Sequence, residues 1–403
     1  MVVNTSTLTD QVMGWEQSHV VGTYKRPPFV LVHGEGVNLY DSEGNAYIDW
    51  VSGIAVNSLG YADVGIANAI QKQLTTGLIH VSNLYHSAPH ADLAKKLCDL
   101  SFADKAFFTN SGTEANEAAI KFARKVAYSA GNTDKTEIVS FTDGFHGRTM
   151  GSLAVTPREK YQKPFAPMMP GAKVGEFNNI ESAKQVINEN TAAVIVEPVQ
   201  GEGGVNVADA EFLKVLREQC DKYDALLLFD EVQCGVGRTG TLWAYEAFDV
   251  TPDIMTLAKP LAGGLPIGAV LITDHVNDAI EPGDHGSTFA GGLVVTAVAN
   301  EVLTRISQPE FLAHVNEVSE YLLEKLSEIN SPLITEIRGQ GLMVGIQMTI
   351  ETAQIVQAGY ENGLILVNAG ANVLRFVPPL IIEKQHVDIM VDRLTQILTE
   401  VEA

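Results

Sequence analysis

From about residue 65 the chain alternates short apolar runs with stretches of helical periodicity, and this alternation constrains the fold more than any other feature. Helical stretches run over Ile66–Leu74, Ala88–Leu100, Thr113–Ala130 and Glu211–Tyr223. Between and after them lie strand-like runs at Ala106–Phe108, Ile138–Phe141, Ala192–Val196, Ala225–Phe229 and Ile267–Ile272. Strands interleaved with helices predict an α/β fold, a mostly parallel sheet sandwiched by helices. With 403 residues and 46% hydrophobic composition, the chain is too long for one typical domain.

Both ends read differently. Phe29–Val32 and Val37–Tyr40 predict short strands, with turns at Gly34-Glu35-Gly36 and Asp41–Gly44. After about residue 290, long helices over Leu293–Ile306 and Phe311–Ile329 precede strand-like pieces at Leu342–Met348 and Leu374–Val377. A last helix from Glu383 places Val387, Met390, Val391, Leu394, Ile397 and Leu398 on one face. The expected division is an N-terminal segment (1–60) packing with a smaller α+β domain (291–403), around a large domain (61–290).

The net charge of −22 argues against nucleic acid and anionic membranes as partners. No apolar stretch reaches membrane-spanning length. The three cysteines form no C-x-x-C and no disulfide framework, and the ten histidines show no metal-ligand spacing. With no signal or transit pattern at the start, a reducing cytoplasmic setting and no metal are expected.

Two apolar runs end in chemistry. Ala225–Phe229 leads into Asp230-Glu231, and Asp253–Ala258 leads into Lys259, followed by a Gly-rich loop to Gly268. Asp230 and Lys259 lie roughly 30 residues apart, the size of one βαβ unit. In an open parallel sheet, reactive groups gather outside the carboxyl ends of the strands. An amine and a carboxylate meeting there suggest a Schiff-base lysine and a partner for a pyridinium nitrogen, the means of holding pyridoxal 5'-phosphate. Pro260 after the lysine biases Lys259 toward extended geometry.

Other stretches are weaker taken singly. Ser111-Gly112-Thr113-Glu114 is an S-x-x-E capping box at a helix start, where free N–H groups favour a phosphate; an ordinary cap is the plainer reading. Phe145 could stack on a flat ring and Arg148 could fork onto a carboxylate, though a loop with a solvated arginine reads equally simply. Gln233 could donate to a ring oxygen, and Ser287-Thr288 offer hydroxyls on a loop. Arg375 is a charge inside an apolar strand, either functional or snorkelling from an edge. Gly235–Gly240 matches G-x-G-x-x-G after a strand, the handle for an NAD-dependent dehydrogenase. That match is discounted, because Arg-Thr-Gly-Thr is a poor helix start and the preceding acids would repel a pyrophosphate.

Together, in this order, the stretches resemble the class III aminotransferases of the ornithine/acetylornithine type, which share the fold-type I pyridoxal-phosphate architecture. The resemblance runs from about Pro28 to Leu380. Gly53–Gly60, His80–Tyr85 and Phe107–Glu117 are most similar to the acetylornithine enzymes. It implies that Lys259 bonds the cofactor and shuttles a proton, Asp230 pairs with the pyridinium nitrogen, Gln233 contacts the ring oxygen and Phe145 stacks on the ring. Ser111, Gly112 and Thr113 would hold the phosphate, with Thr288 supplied by the other subunit of a homodimer. Arg148 and Ser287 would touch substrate, Arg375 the α-carboxylate of glutamate, and Glu202 would neutralise Arg375 when an ω-amino substrate binds. The implied reaction moves the δ-amino group of N2-acetyl-L-ornithine to 2-oxoglutarate in ping-pong halves, as in arginine biosynthesis. Ornithine, succinylornithine, 4-aminobutyrate and acyl-lysine remain open as donors.

Overall fold

The computed structural model describes residues 7–402. Three strands near the start, β1 (Leu31–Glu35), β2 (Asn38–Asp41) and β3 (Ala46–Asp49), form an antiparallel meander. The large sheet is built from β4 (Lys105–Thr109), β5 (Glu137–Phe141), β6 (Ala172–Gly175) and β7 (Thr191–Val196). A small hairpin, β8 (Val199–Gln200) with β9 (Asn206–Val207), precedes its remaining strands: β10 (Leu226–Asp230), β11 (Ile254–Leu257) and β12 (Gly268–Ile272). Its spatial order is β4-β12-β11-β10-β7-β5-β6. All neighbours run parallel except β12, which is antiparallel to both β11 and β4.

The fully buried run of β10 shows why an apolar string reads as a central strand. Leu226 and Leu228 point into one apolar layer with Ala118, Phe122 and Ile195, under the Gly112–Ser129 helix. Leu227 and Phe229 point into the opposite layer with Phe212, Leu213 and Leu216 of the Ala210–Tyr223 helix. A period of two with both faces covered leaves no position for a polar side chain until the strand ends.

The C-terminal part forms a second sheet from β13 (Ile334–Gln340) and β14 (Met343–Met348). After them come β15 (Leu364–Ile365), β16 (Val367–Ala369) and β17 (Val373–Phe376). Its order is β13-β14-β17-β16, all antiparallel. β15 leaves this sheet and pairs in parallel with β3, so the meander near the start becomes four-stranded. The last helix, Lys384–Glu402, buries Val387, Met390, Leu394, Ile397 and Leu398, as its spacing predicts.

Two local expectations fail for identifiable reasons. Gly34 and Glu35 belong to β1 rather than to a turn; the reversal falls at Gly36, whose φ of +57° suits glycine. Gly34 is a glycine because a Cβ there would lie 2.8 Å from the Tyr61 side chain. Lys259 does not continue as extended chain before Pro260. It opens a 3-10 turn, Lys259–Ala262, closed by the Leu261 N–H donating to Ala258 O at 2.7 Å. Proline fits that first turn because its missing N–H has no partner there to lose.

Ile195 lies fully buried in β7 between the two strands that flank it. Ile195→Ala should destabilise the chain by about 2–5 kcal/mol, the lost transfer energy plus a cavity. An unchanged thermal midpoint would show that this layer is not close-packed.

Candidate active site

Groups at and just beyond the carboxyl ends of the parallel strands come together. β10 ends in Asp230, only 3% exposed. Asp230 Oδ2 accepts from Asn116 Nδ2 at 2.7 Å and faces His146 Nδ1 at 2.8 Å, while Oδ1 takes the Val232 N–H at 3.1 Å. Asn116 is fixed in turn by Thr256 Oγ1, which donates to its Oδ1 at 2.7 Å from β11. Burial alone would lower the His146 imidazole, but the hydrogen bond and charge of Asp230 raise it above its usual value. A carboxylate buried at a strand end is therefore matched by donors from a helix, a loop and its own backbone.

The helix Gly112–Ser129 starts beside it. Ser111 Oγ accepts the Glu114 N–H at 3.3 Å. The reciprocal arm of the expected capping box is displaced by one residue: Glu114 Oε2 takes the Asn110 N–H at 2.7 Å. The N–H groups of Gly112 and Thr113 lie ahead of the first helical hydrogen bond and carry the positive end of the helix dipole. A Cβ on Gly112 would stand 2.6 Å from Val232 Cγ1, so only glycine lets the helix start approach the end of β10. Thr113 Oγ1 lies 2.8 Å from Thr149 Oγ1.

Phe145 is half-buried, and its N–H donates to Glu197 Oε2 at 2.9 Å. Arg148 is exposed and stacks 3.7 Å above the centroid of Tyr161, with Phe145 at 5.6 Å. Here its guanidinium lies on an aromatic ring rather than forked on a carboxylate. On the far side, Arg375 is 1% exposed in β17, so it does not snorkel. Its Nη1 bonds Glu202 Oε1 at 2.7 Å and Gln233 Oε1 at 2.9 Å. Gln233 Nε2 reaches the same Glu202 oxygen at 3.5 Å. Burial pushes the Glu202 carboxyl up, but the charge of Arg375, with Lys259, holds it below its usual value. Burial lowers Lys259; the charge of Glu202 opposes that and Arg375 adds to it.

Ser287 Oγ accepts from Asn110 Nδ2 at 3.1 Å, which ties its loop to the helix start. Thr288 is exposed, as is Phe289. The Gly235–Gly240 loop makes turns with no helix inside the glycines, so the dinucleotide geometry is absent from it. Glu231, the second acid after β10, is fully buried and takes the N–H groups of Ala244 and Tyr245 at 2.6 and 2.8 Å. Among the described residues no cluster of acids, histidines and cysteines could hold a metal. Among the described residues no helix is long and apolar enough to cross a membrane.

Sequence reasoning missed Asn116, His146, Glu197 and Tyr161. Asn116 carried one signal, a polar side chain on the apolar face of its helix. Glu197 is buried, its carboxylate also taking the Gly201 N–H at 3.3 Å; burial first, with Asp230 nearby, pushes it up to about 7.

The aminotransferase class-III family matches residues 21–398. The chain belongs to this family. It is 54% identical to the mitochondrial acetylornithine aminotransferase of Alnus glutinosa, over 94% of this chain and 85% of the other. A succinylornithine transaminase of Yersinia pseudotuberculosis is 46% identical, over 91% and 92%. The ornithine aminotransferase of Toxoplasma gondii superposes with a TM-score of 0.93 at 29% identity, covering 98% and 95%. The cofactor of this class is pyridoxal phosphate, and the residues fit it. A cradle that a Cβ would fill at Gly112, a buried carboxylate at Asp230 and a depressed lysine stand around one cleft.

Glu231 is pushed up to about 8 by burial, opposed by its two N–H bonds. A carboxyl whose folded pKa lies above its unfolded one stabilises the protein below the unfolded value and loses that contribution as pH rises through the folded one. For Glu231 that window runs from the ordinary carboxylate range to about 8. Unfolding the cofactor-free chain at pH ~6 should therefore release about one proton from this side chain. Calorimetry in buffers of different ionisation enthalpy should find that proton missing in Glu231→Gln; equal release by both proteins would contradict the assignment.

Proposed function

We propose that this aminotransferase moves the δ-amino group of N2-acetyl-L-ornithine to 2-oxoglutarate, forming N-acetylglutamate 5-semialdehyde and glutamate, in arginine biosynthesis. The observation that carries it is the ion pair between buried Arg375 and half-buried Glu202 at 2.7 Å. The site must accept first a substrate whose amine is far from its carboxylate, then a dicarboxylate. With Glu202 in place, Arg375 is neutralised and the first substrate's chain meets no bare cation. When Glu202 withdraws, Arg375 offers a fork for the α-carboxylate of glutamate. The acetylornithine and succinylornithine relatives agree with this class of donor.

Pyridoxal phosphate, when bound, supplies a carbonyl carbon for the substrate amine and a ring that accepts electrons from the substrate's carbon. Every other task falls to side chains. Lys259 anchors the cofactor and, once displaced by substrate, its depressed amine takes a proton from the reacting carbon and returns it. Asp230, steadied by Asn116 and His146, holds the ring nitrogen protonated. Gly112 and Thr113 N–H groups, with the Ser111 turn, receive the phosphate. In this reading Phe145 would cover one ring face and Gln233 would contact the ring oxygen. Arg148 and Ser287 would touch substrate, Arg148 leaving Tyr161 to meet a carboxylate.

A cytoplasmic homodimer belongs with this reading. In it Thr288, exposed in the single chain, would serve the partner's site, and the free thiols Cys98, Cys220 and Cys234 suit a reducing compartment.

Lys259→Ala should lower turnover by on the order of 10⁴-fold or more while the protein remains folded; turnover near the normal rate would remove Lys259 from the chemistry. In the holoenzyme, loss of the cofactor's visible absorbance should be most efficient with N-acetylornithine and should also occur with glutamate. If succinylornithine, ornithine or 4-aminobutyrate reacts more efficiently, the donor named here is wrong and the transamination chemistry stands.

A further inference from the structure

The Gly235–Gly240 loop holds no dinucleotide, yet it contains a fully buried arginine. Arg238 is 1% exposed. Its Nη1 donates to two carbonyls, Leu342 O at 2.9 Å and Pro378 O at 2.7 Å. Leu342 immediately precedes β14 and Pro378 lies two residues beyond β17. Those strands pair antiparallel with Val344 opposite Phe376 and Gly345 opposite Arg375. Leu342 and Pro378 therefore sit at the same end of the pair, and one nitrogen bridges both, three residues from Arg375.

The loop is docked there by backbone as well. The Leu342 N–H donates to Arg238 O at 3.0 Å. Gly341, with φ of +57°, lies so close that a Cβ would stand 2.4 Å from the Thr239 carbonyl carbon. At its other end the same loop follows Gln233, whose Oε1 accepts from Arg375 at 2.9 Å. The chain from Gln233 to Arg238 thus grips β17 twice, once at the Arg375 side chain and once at the strand end.

The grip is maintained against a cost. A guanidinium has five N–H donors. Among the described residues Arg238 Nε and Nη2 are buried without a hydrogen-bond partner. Burial pushes the group down to about 9. An apolar side chain of similar length would fill this space without a buried charge, though it would leave the two carbonyls without this donor. A costly cation bridging two carbonyls is explained if the position of the strands matters more than stability.

We propose that Arg238 is a positioning residue for Arg375: it clamps the end of the β14–β17 pair to the Gln233 loop and so sets the reach of the Arg375 guanidinium toward the dicarboxylate substrate. The inference rests on the reading of Arg375 as the group that holds the glutamate α-carboxylate. Its consequence is selective. The acyl-ornithine half-reaction, in which Glu202 neutralises Arg375, does not need that reach. The glutamate half-reaction does.

The test compares wild type, Arg238→Met, Arg238→Lys and Arg375→Met as holoenzymes, in single half-reactions with N-acetylornithine and with glutamate. Arg238→Met should still fold and keep the cofactor spectrum. Its kcat/KM for glutamate should fall about tenfold or more, mainly through KM, with the N-acetylornithine value within about twofold of wild type. Arg238→Lys, which can still reach one carbonyl, should fall between and decides the matter should the methionine variant not fold. Arg375→Met separates the two readings. If it shows a glutamate-selective loss and the Arg238 variants do not, Arg238 does not position it. If Arg375→Met itself shows no selectivity, the assignment of Arg375 fails first. Equal losses in both halves for folded, loaded Arg238 variants would overturn the proposal.

Discussion

A carboxylate buried at the end of a central strand governs this structure. Asp230 cannot remain charged at 3% exposure without donors, and each donor comes from a different piece of chain. Asn116 fixes the register of the Gly112–Ser129 helix against the sheet, His146 fixes the loop after β5, and Thr256 of β11 fixes Asn116. Satisfying one acid thus assembles the helix start, the loop that carries Phe145 and the strand before Lys259 around a single point.

An ion pair works by the opposite logic. Arg375 and Glu202 neutralise each other at low exposure, but neither is locked by a dense shell: Glu202 shares Arg375 with Gln233, and the Arg375 Nε lacks a partner among the described residues. A buried pair that loses one partner leaves an uncompensated charge, so Glu202 and Arg375 can part without that cost only where another carboxylate takes the place of Glu202.

Much of this was legible because periodicity reports burial. The β10 run, the Leu293–Ile306 helix and the spacing of the last helix follow from which faces must be apolar. Asp230, Lys259 and Gly112 stood out because each interrupts a pattern where packing alone asks for something else. Asn116, His146 and Glu197 did not, since they act through partners far away in sequence, and a polar residue seen singly carries no sign of its partner. The turn at Gly36 and the 3-10 turn at Lys259 escaped for a related reason. Tyr61 presses on Gly34 from a distant segment, and the Ala258–Leu261 hydrogen bond outweighs the extended bias that Pro260 places on its neighbour. The Gly235–Gly240 motif is the reverse case, a local pattern rightly discounted whose role comes from contacts to residues a hundred or so positions on.

The pairing of β3 with β15 carries an implication for biogenesis. Ile48 and Asp49 meet Leu364 and Ile365 across nearly the whole chain. The meander is synthesised about 300 residues ahead of its fourth strand, and one edge of β3 stays unpaired until β15 follows. An exposed strand edge kept open for that long is a template for wrong partners. The strands of the meander are only four or five residues long, which limits how strongly a stray segment can join it before the proper strand is made.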